Sequence, residues 1–176
     1  MIISTKQYAQ ALFEVSQEQN VVMDVYAELQ AVSLILEDEK INRIFTRTYQ
    51  DETILDPLWK TLRSHFSKQV VNFLQLLYQA NMMKSYERVM AAFRDLLEIH
   101  EYLSRVDVVS AIALSDQEKI SLQKTLKEKY KGDLEMHYEI DANLLQGMIV
   151  HVRSDIYDTS VKSKLDRIIN QGGLQQ

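Results

Sequence analysis

The 176-residue chain holds four glycines, one proline and no cysteine, and its formal net charge is −5. Without cysteine there is no disulfide, thiolate catalysis, iron–sulfur cluster or cysteine-ligated zinc, and without a basic excess there is no polycationic field to recruit nucleic acid. Scarce glycine and proline argue against a small all-β barrel or sandwich, and no apolar run approaches the ~20 residues of a membrane span. The start, MIISTKQYAQ, carries neither the basic region nor the apolar core of a signal peptide. The chain reads as soluble and intracellular, long enough for one large domain or two small ones.

The helical period dominates the first hundred residues. In the first helix Tyr8, Leu12 and Val15 make one apolar face, while Ala9 and Phe13 lie about 100° further round. This helix therefore offers apolar contacts on two sides. Val22, Val25, Tyr26, Leu29, Val32 and Leu36 form one stripe along a second helix. Glu37-Asp38-Glu39 opposes the macrodipole at its end and marks termination on a solvated surface rather than a cation site. A short helix is expected near Ile41–Thr46. Asp56-Pro57 reads as an N-cap followed by proline at the first position of a fourth helix, with His65 as a dipole partner near its end. From Lys68 to Ala80 the segment is apolar on most of its circumference, as in a central helix. Val89, Phe93, Leu96, Leu97, His100 and Leu103 make the stripe of a sixth. Trp59, Tyr49 and the pair Met82-Met83 suit either a recognition groove or a core. Six helices with short connections predict an antiparallel-type bundle over residues 1–105.

After Arg105 the period shortens. Val106, Val108, Ser110, Ile112 and Leu114 alternate as a strand. Ser115 and Glu118 form a capping box for a helix to about Tyr130, whose Lys124, Lys127, Lys129 and following Lys131 read as a solvated face. Leu134 to Ile140 alternates as a strand with one wet face. Met148, Val150 and Val152 mark a third strand, and a last helix near Thr159 or Ser160 places Val161, Leu165, Ile168 and Ile169 together. The whole is mainly α, the bundle being followed by a small β-α-β-β-α unit over residues 106–176.

Chemistry is hard to find. The glycines at 132, 147, 172 and 173 fit no phosphate loop, and neither a nucleophile elbow nor HExxH occurs. His137, Glu139 and His151 would gather as a metal or acid–base site if their strands were neighbours. A solvated sheet face explains the same alternation. No catalytic residue, cofactor or metal site is expected, which leaves a two-part interaction protein. Its rivals are a generic helical adaptor and a small metal-dependent enzyme using those three residues.

Two patterns sharpen this reading. Tyr8-Ala9-Gln10-Ala11-Leu12-Phe13-Glu14 resembles the YAxALFE opening of the delta subunit of F-type ATP synthases, the family of the mitochondrial oligomycin-sensitivity-conferring protein. Leu144-Leu145-Gln146-Gly147-Met148-Ile149-Val150, followed by Asp158-Thr159-Ser160-Val161-Lys162-Ser163-Lys164-Leu165, is similar to that family's C-terminal signature. Gln146 stands where the first of two glycines is usual. The resemblance implies a non-catalytic stator subunit that links the catalytic head to the peripheral stalk against rotor torque. The first domain would receive the N-terminal helix of an alpha subunit on its first and fifth helices, and the second would engage b-type stalk subunits. No nucleic acid is implied, and contact with the membrane is only through the complex, on the cytoplasmic face of a bacterial cell membrane.

The residues support one part of this independently. The first helix has two apolar faces and the fifth is apolar nearly all round, more than one core needs, so the surplus makes a groove. Its expected lining is Tyr8, Ala11 and Val15 with Asn72, Leu76 and Gln79. Gly147, Met148, Val150, Asp158, Ser160, Val161 and Leu165 carry the C-terminal motif and are candidates for the stalk contact.

Overall fold

In a computed structural model, residues 4–46 and 52–165 are described; Tyr49, Ile168, Ile169, Gly172 and Gly173 lie outside them. Six helices come first: α1 (Thr5–Glu18), α2 (Val22–Leu36), α3 (Glu39–Thr46), α4 (Glu52–His65), α5 (Lys68–Gln79) and α6 (Tyr86–Ile99). The chain then enters β1 (Leu103–Ser110), α7 (Asp116–Lys129), β2 (Asp133–Ile140), β3 (Met148–Val152) and β4 (Asp155–Asp158). It forms two compact units, residues 1–96 and 97–176, so the division falls inside α6, ahead of the expected one after Arg105.

In the first unit α1 opens on a capping box, with the Ser4 amide donating to Gln7 Oε1 (2.8 Å) and the Gln7 amide to Ser4 Oγ (3.4 Å). All six stripe residues of α2 are buried. Phe93 sits between Phe13 (5.9 Å, edge-on) and Tyr26 (6.4 Å, stacked) at the centre. Phe45, Trp59 and Tyr78 make a second ring cluster, with centroids 5.4–6.5 Å apart. Trp59 is therefore core, and Met83 is buried as well.

Two expectations fail here. Pro57 does not start α4, which already runs from Glu52. Within the second turn proline forfeits one bond, to the Thr53 carbonyl, and the helix runs through it. The α6 stripe also stops early. His100 is exposed beyond the helix end, and Leu103 is the first residue of β1.

The missing signal there is glycine. Asn20, Asn81 and Glu101 end α1, α5 and α6 in the left-handed region, with φ of 55°, 55° and 61°. Each closes a Schellman motif, in which the next amide reaches back to Ser16 (3.0 Å), Leu77 (2.8 Å) or Leu97 (2.9 Å). A chain so poor in glycine turns its helices on asparagine and glutamate instead.

In the second unit the strand order is β2-β1-β3-β4, with β1 parallel to β2 and antiparallel to β3. Val106, Val108, Val150 and Val152 pack one sheet face against Leu126 of α7, and Leu122, Leu134 and Met136 close round them. The Ser115–Glu118 capping box is present. β1 begins three residues before Val106 and ends at Ser110, where Ser110 Oγ turns to the Ile112 carbonyl (2.7 Å) and the Ala111 amide to Gly147 (3.1 Å). Ile112 consequently leaves the sheet and is 75% exposed. The fourth strand corrects the expected β-α-β-β-α order to β-α-β-β-β, followed by helical residues at 161–165. β4 is four residues long. Arg153, with φ 54°, turns its hairpin where glycine or asparagine is the usual marker.

Candidate functional site

A groove of about 490 Å³ opens between α1 and α5. Its lining comes from Ala11, Leu12 and Val15 on α1 with Gln19 just past its end, and from Lys68, Gln69, Asn72, Phe73 and Leu76 on α5. Val15 and Leu76 are 42% and 48% exposed, while Leu12 and Phe73 form a buried floor shared with the core. The end of α1 meets the start of α5, where Gln69 Nε2 donates to Gln19 Oε1. Ser67 caps α5 with its hydroxyl on the Val70 amide (3.4 Å). Glu28 accepts from both the Ser67 amide (2.9 Å) and the Ser67 hydroxyl (2.7 Å). These bonds secure the start of α5 and leave an apolar trough with amide side chains at one end.

Ala11, Val15, Asn72 and Leu76 are brought together as expected. Tyr8 is not part of the trough, because its side chain is 7% exposed and packs into the core. Gln79 is exposed on α5 but does not line the groove. Leu12 and Phe73 were unreadable as lining, since periodicity shows only that they face inward. A wider cavity of about 630 Å³ lies among Leu36, Asn42, Thr46, Met83, Lys84 and Tyr86. Several of its polar groups are already used: Tyr86 donates to the Leu29 carbonyl (2.8 Å) and Asn42 to Leu36 (2.9 Å). Burial pushes the Tyr86 phenol well up, so it remains a neutral donor.

The C-terminal motif in the second unit is a joint. Gly147 has φ +89°, and a Cβ there would stand 2.6 Å from the Thr159 carbonyl oxygen, so only glycine fits. The Thr159 amide donates to the Met148 carbonyl (2.9 Å), and the Val161 amide to Gln146 (2.9 Å). Asp158 Oδ1 accepts from the Ser160 amide (2.8 Å), Asp158 Oδ2 accepts from the Ser163 hydroxyl, and Ser160 Oγ accepts from the Ser163 amide (3.3 Å). Ser160 and Val150 are buried, Met148 and Val161 are half-buried, and Leu165 is 45% exposed. Gln146 is exposed and is not among the left-handed residues, so a side chain is accommodated where the family commonly has glycine.

Exposed apolar side chains lie elsewhere in this unit. Ile140 at the end of β2 is 61% exposed and Tyr138 40%, although they share a face with half-buried Leu134 and Met136. Ile120 on α7 is 66% exposed. Leu145 is 65% exposed at φ 65° and ψ -51°. It sits in a tight turn where the Gln146 amide reaches the Leu144 carbonyl (2.8 Å).

His137 and His151 are not on neighbouring strands. β1 runs between β2 and β3, and Asp107 pairs in register with both. Among the described residues no three histidines or carboxylates are placed to hold a metal ion. His65 Nδ1–H donates to the Thr61 carbonyl (2.9 Å) in the last turn of α4, a helix-end role as expected. The lysines after β1 are partly engaged. Lys129 lies 4.5 Å over the Tyr157 ring, and Lys131 pairs with Glu101 (3.7 Å). Tyr130 and Tyr157 hydroxyls meet at 2.8 Å, and both contact Asp155. The Tyr130 hydroxyl, more than Lys129, holds the Asp155 carboxyl below its ordinary range. This polar clasp fastens α7 to edge strand β4.

The sequence profile of the family described as ATP synthase delta (OSCP) subunit matches residues 5–171. ATP synthase subunit delta of Caldanaerobacter subterraneus subsp. tengcongensis is 25% identical over 167 residues, covering 95% of this chain and 94% of the relative. That of Latilactobacillus sakei subsp. sakei is 28% identical over 166 residues, covering 93% and 92%. A chain in the cryo-EM structure of the Toxoplasma gondii mitochondrial ATP synthase hexamer shares the fold, with a TM-score of 0.68, 23% identity and 99% of both chains covered. No described helix is long and apolar enough to cross a membrane.

Proposed function

The chain belongs to the ATP synthase delta (OSCP) subunit family, and from that premise we propose how it works as a stator. The first unit sits on the catalytic head and takes the N-terminal helix of an alpha subunit into the groove between α1 and α5. The second unit engages the b-type stalk, so the chain resists rotor torque during proton-driven synthesis without doing chemistry itself. It reaches the bacterial membrane only through its partners, from the cytoplasmic face.

The observation that carries this reading is the trough itself. Ala11, Val15 and Leu76 stay in contact with water although each lies beside a packed core. An amphipathic helix laid there would cover them and meet the floor of Leu12 and Phe73, the helix-in-groove mode of recognition. Ala11 lets the incoming backbone approach closely. For the stalk the geometry favours Ile112, Ile120, Tyr138, Ile140 and Leu145, with Leu165 kept from the motif residues, over Val150 and Ser160, which are spent on the fold.

Ala11→Trp fills the trough from an exposed position and leaves the core intact. In titration calorimetry it is expected to abolish binding of an alpha-subunit N-terminal peptide while circular dichroism stays native. Unchanged affinity in the folded variant would overturn the groove assignment.

A further inference from the structure

A second, smaller cavity of about 350 Å³ adjoins the groove, lined by Arg63, Phe66, Lys68, Val71 and Asn72. It shares Lys68 and Asn72 with the groove, so Lys68 stands at the passage from one to the other. Among the described residues neither cavity is lined by a carboxylate, although the chain as a whole carries a net charge of −5. Arg63 and Lys68 are exposed, and among the described residues no carboxylate pairs with either. The trough is thus apolar along Ala11, Val15 and Leu76 and cationic where α4 gives way to α5.

We infer that this basic corner is a distinct subsite of the groove, selecting a docked helix with a carboxylate side chain just beyond its apolar stripe, seated between Lys68 and Arg63. The inference rests on the groove reading above and adds to it a chemical requirement on the partner. Apolar contact alone does not specify how far a helix slides along a trough, because neighbouring turns present similar side chains. A charge opposite Lys68 penalises wrong registers, and opposite-charge steering raises the on-rate. Arg63 offers the second carboxylate oxygen a planar donor fork.

The test uses the full-length protein with two synthetic alpha-subunit N-terminal peptides, one native and one with its Asp and Glu replaced by Asn and Gln. The double variant Arg63→Gln/Lys68→Gln changes only exposed side chains, and its fold is checked by circular dichroism. At low ionic strength it is expected to bind the native peptide about two- to tenfold more weakly, as for two exposed ion pairs. That gap closes in high salt, and the neutral peptide binds variant and wild type equally. Equal affinity of wild type and double variant for the native peptide, with Ala11→Trp still abolishing binding, overturns the subsite and leaves the groove standing. Neutral and native peptides binding the wild type equally well overturn it too. Failure of the native peptide to bind the wild type at all removes the groove reading and the subsite together.

Discussion

The two units hide their apolar surface by different means, and they expose what remains in different places. In the first, helices surround Phe93 on several sides, and the surplus lies along a seam between α1 and α5. In the second, one fourteen-residue helix packs on one face of a four-stranded sheet and reaches Tyr138 with Lys119, while Ile140 at the end of β2 stays 61% exposed. The recognisable C-terminal motif is a folding joint around Gly147 and Ser160, whereas the helix groove is announced by no compact motif beyond an apolar opening.

The contrast between the units is disturbed most at the core. Phe93→Ala is expected to cost about 3–5 kcal/mol by opening a cavity among two rings, read as a lowered midpoint in urea by tryptophan fluorescence, since Trp59 is buried in the same unit. A loss below about 1 kcal/mol would mean that Phe93 is not central. Gly147→Val is expected to destabilise the second unit by at least about 2 kcal/mol, because the left-handed backbone and the Thr159 carbonyl both reject a Cβ. Hydrogen exchange should show protection falling in β3 while α2 keeps its own. Equal losses in both units would show that they unfold as one.

Weaker perturbations separate joint from surface within the second unit. Ser160→Ala removes the hydroxyl that accepts from the Ser163 amide and should cost about 1 kcal/mol, against almost none for Ile140→Ser on the surface. Ile140→Ser should instead weaken capture of a b-type stalk fragment in a pull-down, and retained capture would move the contact elsewhere. The least effect belongs to the clasp. Asp155 titrates lower in the folded chain than in the unfolded one, so its contribution is present above the ordinary carboxylate range and is lost as pH falls through the depressed folded value. Asp155→Asn should flatten that acid-side loss in thermal melts between mildly and strongly acidic pH, and an unchanged profile would exclude the clasp as its source.

Much of the architecture was legible because it is local. The α2 stripe needs only the helical period, and the Ser115–Glu118 box only four residues in a row. The ends of α1, α5 and α6 were less so, because Asn20, Asn81 and Glu101 adopt a conformation ordinarily flagged by glycine. β4 was missed because four residues hold too few alternations to read, and its stability comes from pairing with β3 and the clasp to α7. Tyr8 shows the limit at the candidate site: its spacing puts it on an apolar face, yet spacing does not say whether that face is covered.

The scarcity of glycine, proline and cysteine, together with hydrophobic periodicity, determined by itself a chain of regular helices with a short β-rich end, without disulfides or a glycine-rich phosphate loop. Which apolar residues remain in water was decided only by the tertiary structure. Periodicity assigns a side chain to one side of its own helix, but exposure is a property of the neighbours. Ala11 and Val15 face a trough because α1 and α5 leave a groove above the shared floor of Leu12 and Phe73, and Lys68 faces the same trough because Ser67 and Glu28 hold the first turn of α5 there.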